Sequence, residues 1–415
     1  MLILGIETSC DETAAAVVRD GVEILSNVVV SQIDIFAEYG GVIPEVAARS
    51  HLEAIMPVID KALAEAKCTW DEIDAIAVTH APGLLGSLLI GTLTARTLAI
   101  LHNKPLYAVH HLKSHVYANW LSQDESNNCL DFSSRALQGA SPSHTLSEMP
   151  KPIFPILALV ISGGHTQILE MPNHNQFKII GTTRDDAVGE CFDKVAKILG
   201  LPYPGGPAIA MAAEGKLSSL RNYTGQNIDV APGDPNKYSL PHPKISGLDF
   251  SFSGLKTAVL RAVQKEVNVP ISFPSHKLKE LLSPQQVCDF AASFQKTAID
   301  ILIEKMELAL NEYTDVKSIV VAGGVSANKE LKNMFLHRLG SRPAGPSPWA
   351  AGANSRAAAL RNPPSQCNNI FFPAPNLSGD NGAMVAAACY YEIQSGVKPV
   401  DPYKLNIYPR ISLEN

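Results

Sequence analysis

The sequence predicts an α/β fold built from two related halves, and three observations carry that prediction. Short apolar runs of strand character alternate with longer runs of helical spacing, the pattern of helices covering a sheet. The chain has 415 residues, too many for one small core, which favours two or more domains or one bilobal enzyme. The opening "LILGIETSCDETAAAVV" holds two apolar strands around a tight polar loop, and "IFPILALVISGGHTQILEM", beginning at Ile153, repeats that plan.

The elements follow in order. "LILGIE", "TAAAVV" and "VEILSNVVV" are neighbouring strands joined by polar turns. "PEVAARSHLEAIMPVIDKALAEA" has helical spacing and follows a turn containing Gly40 and Gly41. "DAIAVTHA" reads as a strand, "LLGSLLIGTLTARTLAILH" as a largely buried helix, and "PLYAVHH" as another strand. A sharp change to Ser, Asn and Pro at 121–152 marks a surface insertion. After the restart, "IVVAGGVSANKELKNMF" is strand, glycine turn and helix. A second stretch at 341–369, rich in Pro, Gly, Ala and Asn, marks another exposed insertion, and "SGDNGAMVAAACYYEI" reads as a capped helix. The expected organisation is a first lobe at 1–120, the insertion 121–152, a second lobe with helical insertions at 153–340, the insertion 341–369, and a segment 370–415 that closes the cleft.

Composition narrows the function classes. Apolar content of 46% and charged content of 18% fit a globular chain and argue against disorder. The formal net charge of −6 gives no global sign of nucleic-acid binding, so such binding needs a local patch. Lysines and arginines modestly outnumber acids between Phe177 and Lys279, from Lys178 and Arg184 to Lys277 and Lys279. The 7 cysteines are scattered and form no C-x-x-C pair, which suits a reduced compartment rather than a disulfide framework. Cys10 lacks a histidine close in sequence and reads as inert. The N-terminus enters a strand at once, without secretory or transit signature, and no apolar run reaches about 18 residues. A cytoplasmic protein with no membrane association is expected.

Chemistry concentrates in a few motifs. In "HHLKSHVYA", His111 and His115 are four residues apart, so a helix places them on one face as a metal pair, or as one core and one exposed histidine. No glutamate follows His111, unlike the H-E-x-x-H of zinc proteases. Three glycine turns, "ISGGHT", "PYPGGPA" and "VAGGVSAN", two of them directly after apolar strands, favour nucleotide binding through exposed backbone N–H groups. None is a P-loop or a G-x-G-x-x-G fingerprint. "ETSCDET" gathers Glu7, Asp11 and Glu12 beside three hydroxyls, either a polar hairpin turn or a phosphate or metal-phosphate loop. In "TTRDDAVGECFDKVAKILG", Asp185 and Asp186 sit at a helix start, while Asp193 falls mid-helix on an apolar stripe. It either meets a ribose hydroxyl or faces solvent.

"GIETSCDET", "GGVIPEVAAR", "APGLLGSLLIG", "HHLKSH", "LVISGGHTQI", "DDAVGECFDKVAKILGLPYPGGP", "FSFSGLKT", "VVAGGVSAN" and "DNGAM" occur in this order. Together they resemble the tRNA N6-adenosine threonylcarbamoyltransferase family of the bacterial TsaD type, across essentially the whole chain apart from the insertions and the stretch 222–237. The resemblance implies a bilobal actin/Hsp70-like (ASKHA) fold with a nucleotide cleft. It implies transfer of threonylcarbamoyl from threonylcarbamoyl-AMP to N6 of adenosine 37 in tRNAs reading codons that begin with A. His111, His115 and Asp380 match the metal ligands, for one divalent ion, with Fe2+ favoured and Zn2+ also suited. Val160, Ile161, Ser162, Gly163, Gly164, Asp193, Gly206 and Asn328 match substrate-binding positions, and Asp11 and Glu12 the acidic loop near the phosphates. A paralogous partner subunit and an ATPase partner are implied alongside tRNA. Three rivals are weaker. A glycoprotease lacks its glutamate here, a sugar-kinase-like or chaperone-like relative would not need the histidine pair, and a lapsed scaffold would not keep every matched residue.

Overall fold

A computed structural model describes residues 1–122, 150–221, 223, 225, 228–340 and 369–414. Most of each compositional insertion, 123–149 and 341–368, lies outside the described residues. The first half runs β1 (Leu2–Glu7), β2 (Glu12–Arg19), β3 (Glu23–Ser31), α1 (Ile33–Tyr39), α2 (Pro44–Ala66), β4 (Ala75–Ala81), α3 (Leu85–Leu101), β5 (Leu106–His110) and α4 (His111–Tyr117). The second runs β6 (Ile156–Ile161), β7 (Thr166–Met171), β8 (Lys178–Thr182), α5 (Val188–Leu199), α6 (Gly205–Ala213), α7 (Ser253–Glu266), α8 (Pro284–Glu312), β9 (Ser318–Ala322) and α9 (Lys329–Leu339). The chain then adds β10 (Asn369–Phe371) and α10 (Gly382–Gln394).

The duplication read from two strand–loop–strand units extends to the whole topology. The first sheet is ordered β3-β2-β1-β4-β5 and the second β8-β7-β6-β9-β10. In each, the first three strands form an antiparallel meander, and the fourth and fifth add in parallel beside the first. Parallel neighbours need crossover connections, which α2, α3 and α8 help to provide. This is the bilobal actin/Hsp70-like architecture that the resemblance implied.

Burial sorts the helices into layers. Ile55, Ile59 and Ala62 on one face of α2 join Ala95 and Leu98 of α3 against the outer face of the first sheet. On the second sheet, Val188, Phe192 and Val195 of α5 pack with Phe290 and Phe294 of α8. Between the sheets, α4 and α10 contribute Val116, Val385 and Ala386 to one core with Ile3, Ala16, Ile156 and Val160. A middle core drawing on both sheets ties the halves through buried apolar area, at about 25 cal/mol per Å².

Two glycines set that middle layer. A Cβ on Gly5 of β1 would lie 2.7 Å from Ala386 N, and one on Gly382 would lie 2.6 Å from Ala16 N. Only bare backbone lets α10 lie this close to the sheet. The N-terminus of α10, and the loop that precedes it, is thereby fixed against the end of α4. Among the described residues no helix is long and apolar enough to cross a membrane.

Candidate metal centre and substrate cleft

β5 runs straight into α4, and the His110 ring marks the junction by accepting from Leu112 N at 3.3 Å. His111 and His115 then share one helical face, their ring centroids 4.6 Å apart. Asp380 reaches them from the loop before α10. Asn381 anchors that loop: its Oδ1 caps α10 at Met384 N (3.0 Å), and its Nδ2 donates to Gly379 O (2.8 Å) and Leu377 O (3.2 Å). Asp380 Oδ1 lies 3.1 Å from His115 Nε2 and 3.6 Å from His111 Nε2.

A divalent metal fits this cluster. One ligand atom from each of the three residues lies within 4.8 Å of the others. Both nitrogens of the buried His115 ring lack a hydrogen-bond partner, an orphaned state that a metal bond would relieve. His111 Nδ1 is engaged behind the site, 3.2 Å from Glu7 Oε2 and 3.1 Å from Ser9 Oγ, which leaves Nε2 to face Asp380. Carboxylate support of this kind orients metal-bound imidazoles. Glu7 is itself fully buried and accepts from Thr79 Oγ1 at 2.6 Å and Ser9 N at 2.5 Å.

The electrostatics are those of a tight anion–cation cluster. Burial opposes charge on His111, but Asp380 and Glu7 overcome it and raise the imidazole to about 9. Burial likewise opposes charge on Asp380, yet His111 and His115 hold it down at about 2. Burial works to raise Glu7, but the charge and hydrogen bond of His111 hold it below the usual carboxylate range. Burial and repulsion from His111 and His115 push neighbouring His165 down to about 4.

The acidic loop sits beside this centre and is pinned from behind. His51 on α2 bonds Cys10 O through Nε2 (3.0 Å) and Thr13 Oγ1 through Nδ1 (2.8 Å), while Ser87 Oγ donates to Cys10 O at 3.2 Å. Burial and the Asp380 and Asp11 charges raise the Glu12 carboxyl to about 10. Burial, with Asp11 and Asp380 nearby, pushes the Cys10 thiol far up, which makes it a poor nucleophile.

A cleft of about 1620 Å³ brings most of the predicted residues together. Asp11, Glu12, His111 and Asp380 line it from one side, and Ser162, Gly163, Gly164, Asp193, Gly206 and Asn328 from the other. Val160 and Ile161 are not in its wall; their side chains are fully buried in β6, on the two faces of the sheet. They hold up a turn in which Ser162 N donates to His165 O at 2.8 Å. A Cβ at Gly163, Gly164 or Gly206 would meet nothing within 4 Å, so these glycines border open space.

Asp193 has a local role besides lining the cleft. Its Oδ1 accepts from Gly205 N at 2.7 Å and so starts α6; burial, despite that bond, raises it to about 6. Asn328 caps α9 by accepting from Leu331 N at 3.0 Å and donates to Gln295 Oε1 at 2.8 Å. The supporting roles of Glu7 and His51 escape the sequence reading. The available signals were a carboxylate closing an apolar strand and a histidine in register with Ala47 and Ile55 on α2.

The family model described as "TsaD: tRNA N6-adenosine threonylcarbamoyltransferase" matches residues 23–136 and 140–387. A protein of that name from Thermomicrobium roseum is 41% identical over 406 residues, covering 96% of this chain and 93% of its own length. One from Symbiobacterium thermophilum is 41% identical over 413 residues, with 99% and 97% covered. One from Dehalococcoides mccartyi is 41% identical over 414 residues, with 100% and 99% covered.

Proposed function

This chain belongs to the tRNA N6-adenosine threonylcarbamoyltransferase family, and from that premise we propose how its own residues carry out the transfer. The chain is a transferase that acylates adenosine in tRNA. We assign the donor as threonylcarbamoyl-AMP and the acceptor as N6 of adenosine 37 in tRNAs reading codons that begin with A. The observation that carries this reading is the His111–His115–Asp380 cluster on the border of a glycine-walled cleft.

The reaction places few demands on a protein nucleophile, because the donor is a mixed anhydride. N6 attacks the carbamoyl carbon, the bond from that carbon to the phosphate oxygen breaks, and AMP departs. N6 gives up one proton, which the departing phosphate is basic enough to carry away. The protein must bind, orient and exclude water. The open backbone at Gly163, Gly164 and Gly206 receives the adenylate, and Asp193 and Asn328 supply polar groups beside it. Burial raises the Glu12 carboxyl, which moderates the negative charge this loop presents to the substrate. His111, His115 and Asp380 would hold one divalent metal, Fe2+ by preference and Zn2+ as the alternative, which supplies Lewis-acid polarisation of donor oxygens.

A paralogous partner subunit and an ATPase partner complete the proposed system. Support for a docking partner comes from α3, where Leu85, Leu89 and Leu93 are 60%, 43% and 43% exposed at helical spacing, beside Leu52 of α2 at 66%. An apolar stripe of that kind on a soluble face marks an interaction site.

The test is nucleoside mass analysis of unmodified tRNA incubated with threonylcarbamoyl-AMP, the chain and its bacterial partner proteins. A threonylcarbamoyl mass on adenosine 37, absent with His115→Ala, is the expected result. Absence of product despite intact fold and bound adenylate would sink the reading.

A further inference from the structure

The cleft has a neighbour that the donor chemistry does not use. A recess of about 540 Å³ shares Pro82, Gly83 and His165 with the main cleft and continues past them to Arg410, Ile411 and Ser412 of the C-terminal tail. The same centre is thus approached from two sides, and the proposed reaction has two substrates.

The two approaches differ in charge. The main cleft is lined by more acids than bases: Asp11, Glu190, Asp193, Glu214, Glu330 and Asp380 stand against Lys216, Lys296 and Lys329. No acidic residue lines the recess, whose one formal charge is the Arg410 guanidinium. The donor brings a single phosphate into the main cleft, whereas a polynucleotide carries one at every residue, which a predominantly acidic surface disfavours and the recess accepts.

The tail that carries Arg410 is fixed on both sides of it. Tyr408 N donates to His80 O at 3.0 Å and Gly83 N to Pro409 O at 3.3 Å, tying the tail to the first half of the molecule. Leu413 is buried in the middle core, and Glu414 Oε1 accepts from Ile179 N at 2.8 Å on the second half. Arg410 therefore stands exposed on a strap anchored to both halves, and no hydrogen bond or ion pair occupies its guanidinium among the described residues. A held, unpaired arginine is suited to a fork of hydrogen bonds to phosphate.

We infer that the recess is where the acceptor nucleotide of a single-stranded RNA loop comes in, with Arg410 binding a backbone phosphate next to the base that is acylated. This rests on the function proposed above and adds to it a route for the acceptor and a residue that binds it.

The experiment compares wild type, Arg410→Ala, Arg410→Glu and Arg410→Lys in the complete system with transcribed tRNA and threonylcarbamoyl-AMP. KM is measured for each substrate over a range of KCl concentrations, with circular dichroism and metal content as controls. Arg410→Glu should raise the KM for tRNA about tenfold, and Arg410→Ala by a smaller factor, with the KM for threonylcarbamoyl-AMP unchanged. Loss of one phosphate contact should also reduce the slope of log affinity for tRNA against log salt by about 0.7 in Arg410→Ala. Arg410→Lys should retain part of the affinity.

An unchanged KM for tRNA in both charge-removing variants overturns the inference and leaves the function standing. So does an equal rise in both KM values, which would make Arg410 a donor contact. A wild-type system that binds threonylcarbamoyl-AMP yet makes no product overturns the function, and the inference with it.

Discussion

His115 Nε2 lies 3.1 Å from Asp380 Oδ1, yet the two do not meet in hydrogen-bond geometry, and the other nitrogen of the same buried ring has no partner at all. A structural histidine would have turned toward a partner, because an unmade buried hydrogen bond costs about 1–3 kcal/mol. The arrangement is that of two ligands converging on a third body. Asp380→Ala should therefore abolish stoichiometric metal binding in purified protein. In the metal-free state it should also lower the His111 imidazole, since the Asp380 charge is the largest influence raising it. Histidine NMR titration reads that shift directly, and an unmoved His111 would contradict the cluster.

Glu7 lies one step behind the candidate metal ligands, bonded to His111. It is completely buried, and its Oε2 serves both Thr79 Oγ1 and His111 Nδ1. Glu7→Gln keeps the size but loses the charge, so metal affinity should fall by about 10- to 100-fold while the ligand set stays intact. Competition with a chromogenic chelator measures the change. Affinity equal to that of wild type would reduce Glu7 to a packing residue.

Metal binding should depend on pH through His111. Without metal the imidazole keeps its proton up to about 9, and a metal must displace it. Affinity should rise about tenfold per unit from near neutral pH toward 9, with about one proton released. Calorimetry in buffers of different ionisation enthalpy counts that proton.

The same shift acts on stability. The folded His111 value is raised above its ordinary 6.5, so its stabilisation is complete below 6.5 and is lost as pH climbs through about 9. Glu12, raised from 4.5 to about 10, works in the same direction over its own range. Chelator-treated protein should melt progressively lower between pH 7 and 9. The metal-loaded protein should show a smaller change, because the proton on His111 is already gone.

Much of this architecture is legible from one-dimensional pattern. The 23 residues from Pro44 to Ala66 follow helical spacing, and the structure makes them one helix. The β5–α4 junction falls where apolar alternation gives way to the histidine pair. Long-range pairings leave no local trace. Nothing near Glu7 announces His111, which is 104 positions away, and Asp380 joins them only because Gly5 and Gly382 let α10 press against β1. Asp193 shows a different limit. Its place on an apolar stripe suggested a ribose contact or a solvent-facing side chain, whereas the fold also gives it the first N–H of α6. Tertiary hydrogen bonding supplied a role outside both readings.

The adjacent glycines 205 and 206 should respond oppositely to substitution. A Cβ on Gly205 would lie 2.5 Å from Asp193 Cα and 2.8 Å from Phe192 O, so α5 and α6 would have to separate. Gly205→Ala should cost about 1–3 kcal/mol through overpacking, visible as a lower Tm. Gly206 has nothing within 4 Å of a Cβ and borders the cleft. Gly206→Val should leave the Tm nearly unchanged and raise the KM for the adenylate. Matching effects at the two positions would refute the placement of the cleft wall.

Asn328 combines two roles that one substitution cannot separate, so its test needs two. Its Oδ1 caps α9 at Leu331 N, its Nδ2 holds Gln295, and the residue also borders the cleft. Asn328→Ala should cost about 1 kcal/mol as a lost cap and should weaken adenylate binding as well. Asn328→Ser restores an N-cap oxygen without the amide. If the amide also meets the adenylate, Asn328→Ser should regain most of the Tm while its KM for the adenylate stays high. Should stability and KM recover together, Asn328 shapes the cleft only by capping α9, and the substrate contact must come from elsewhere on the glycine wall.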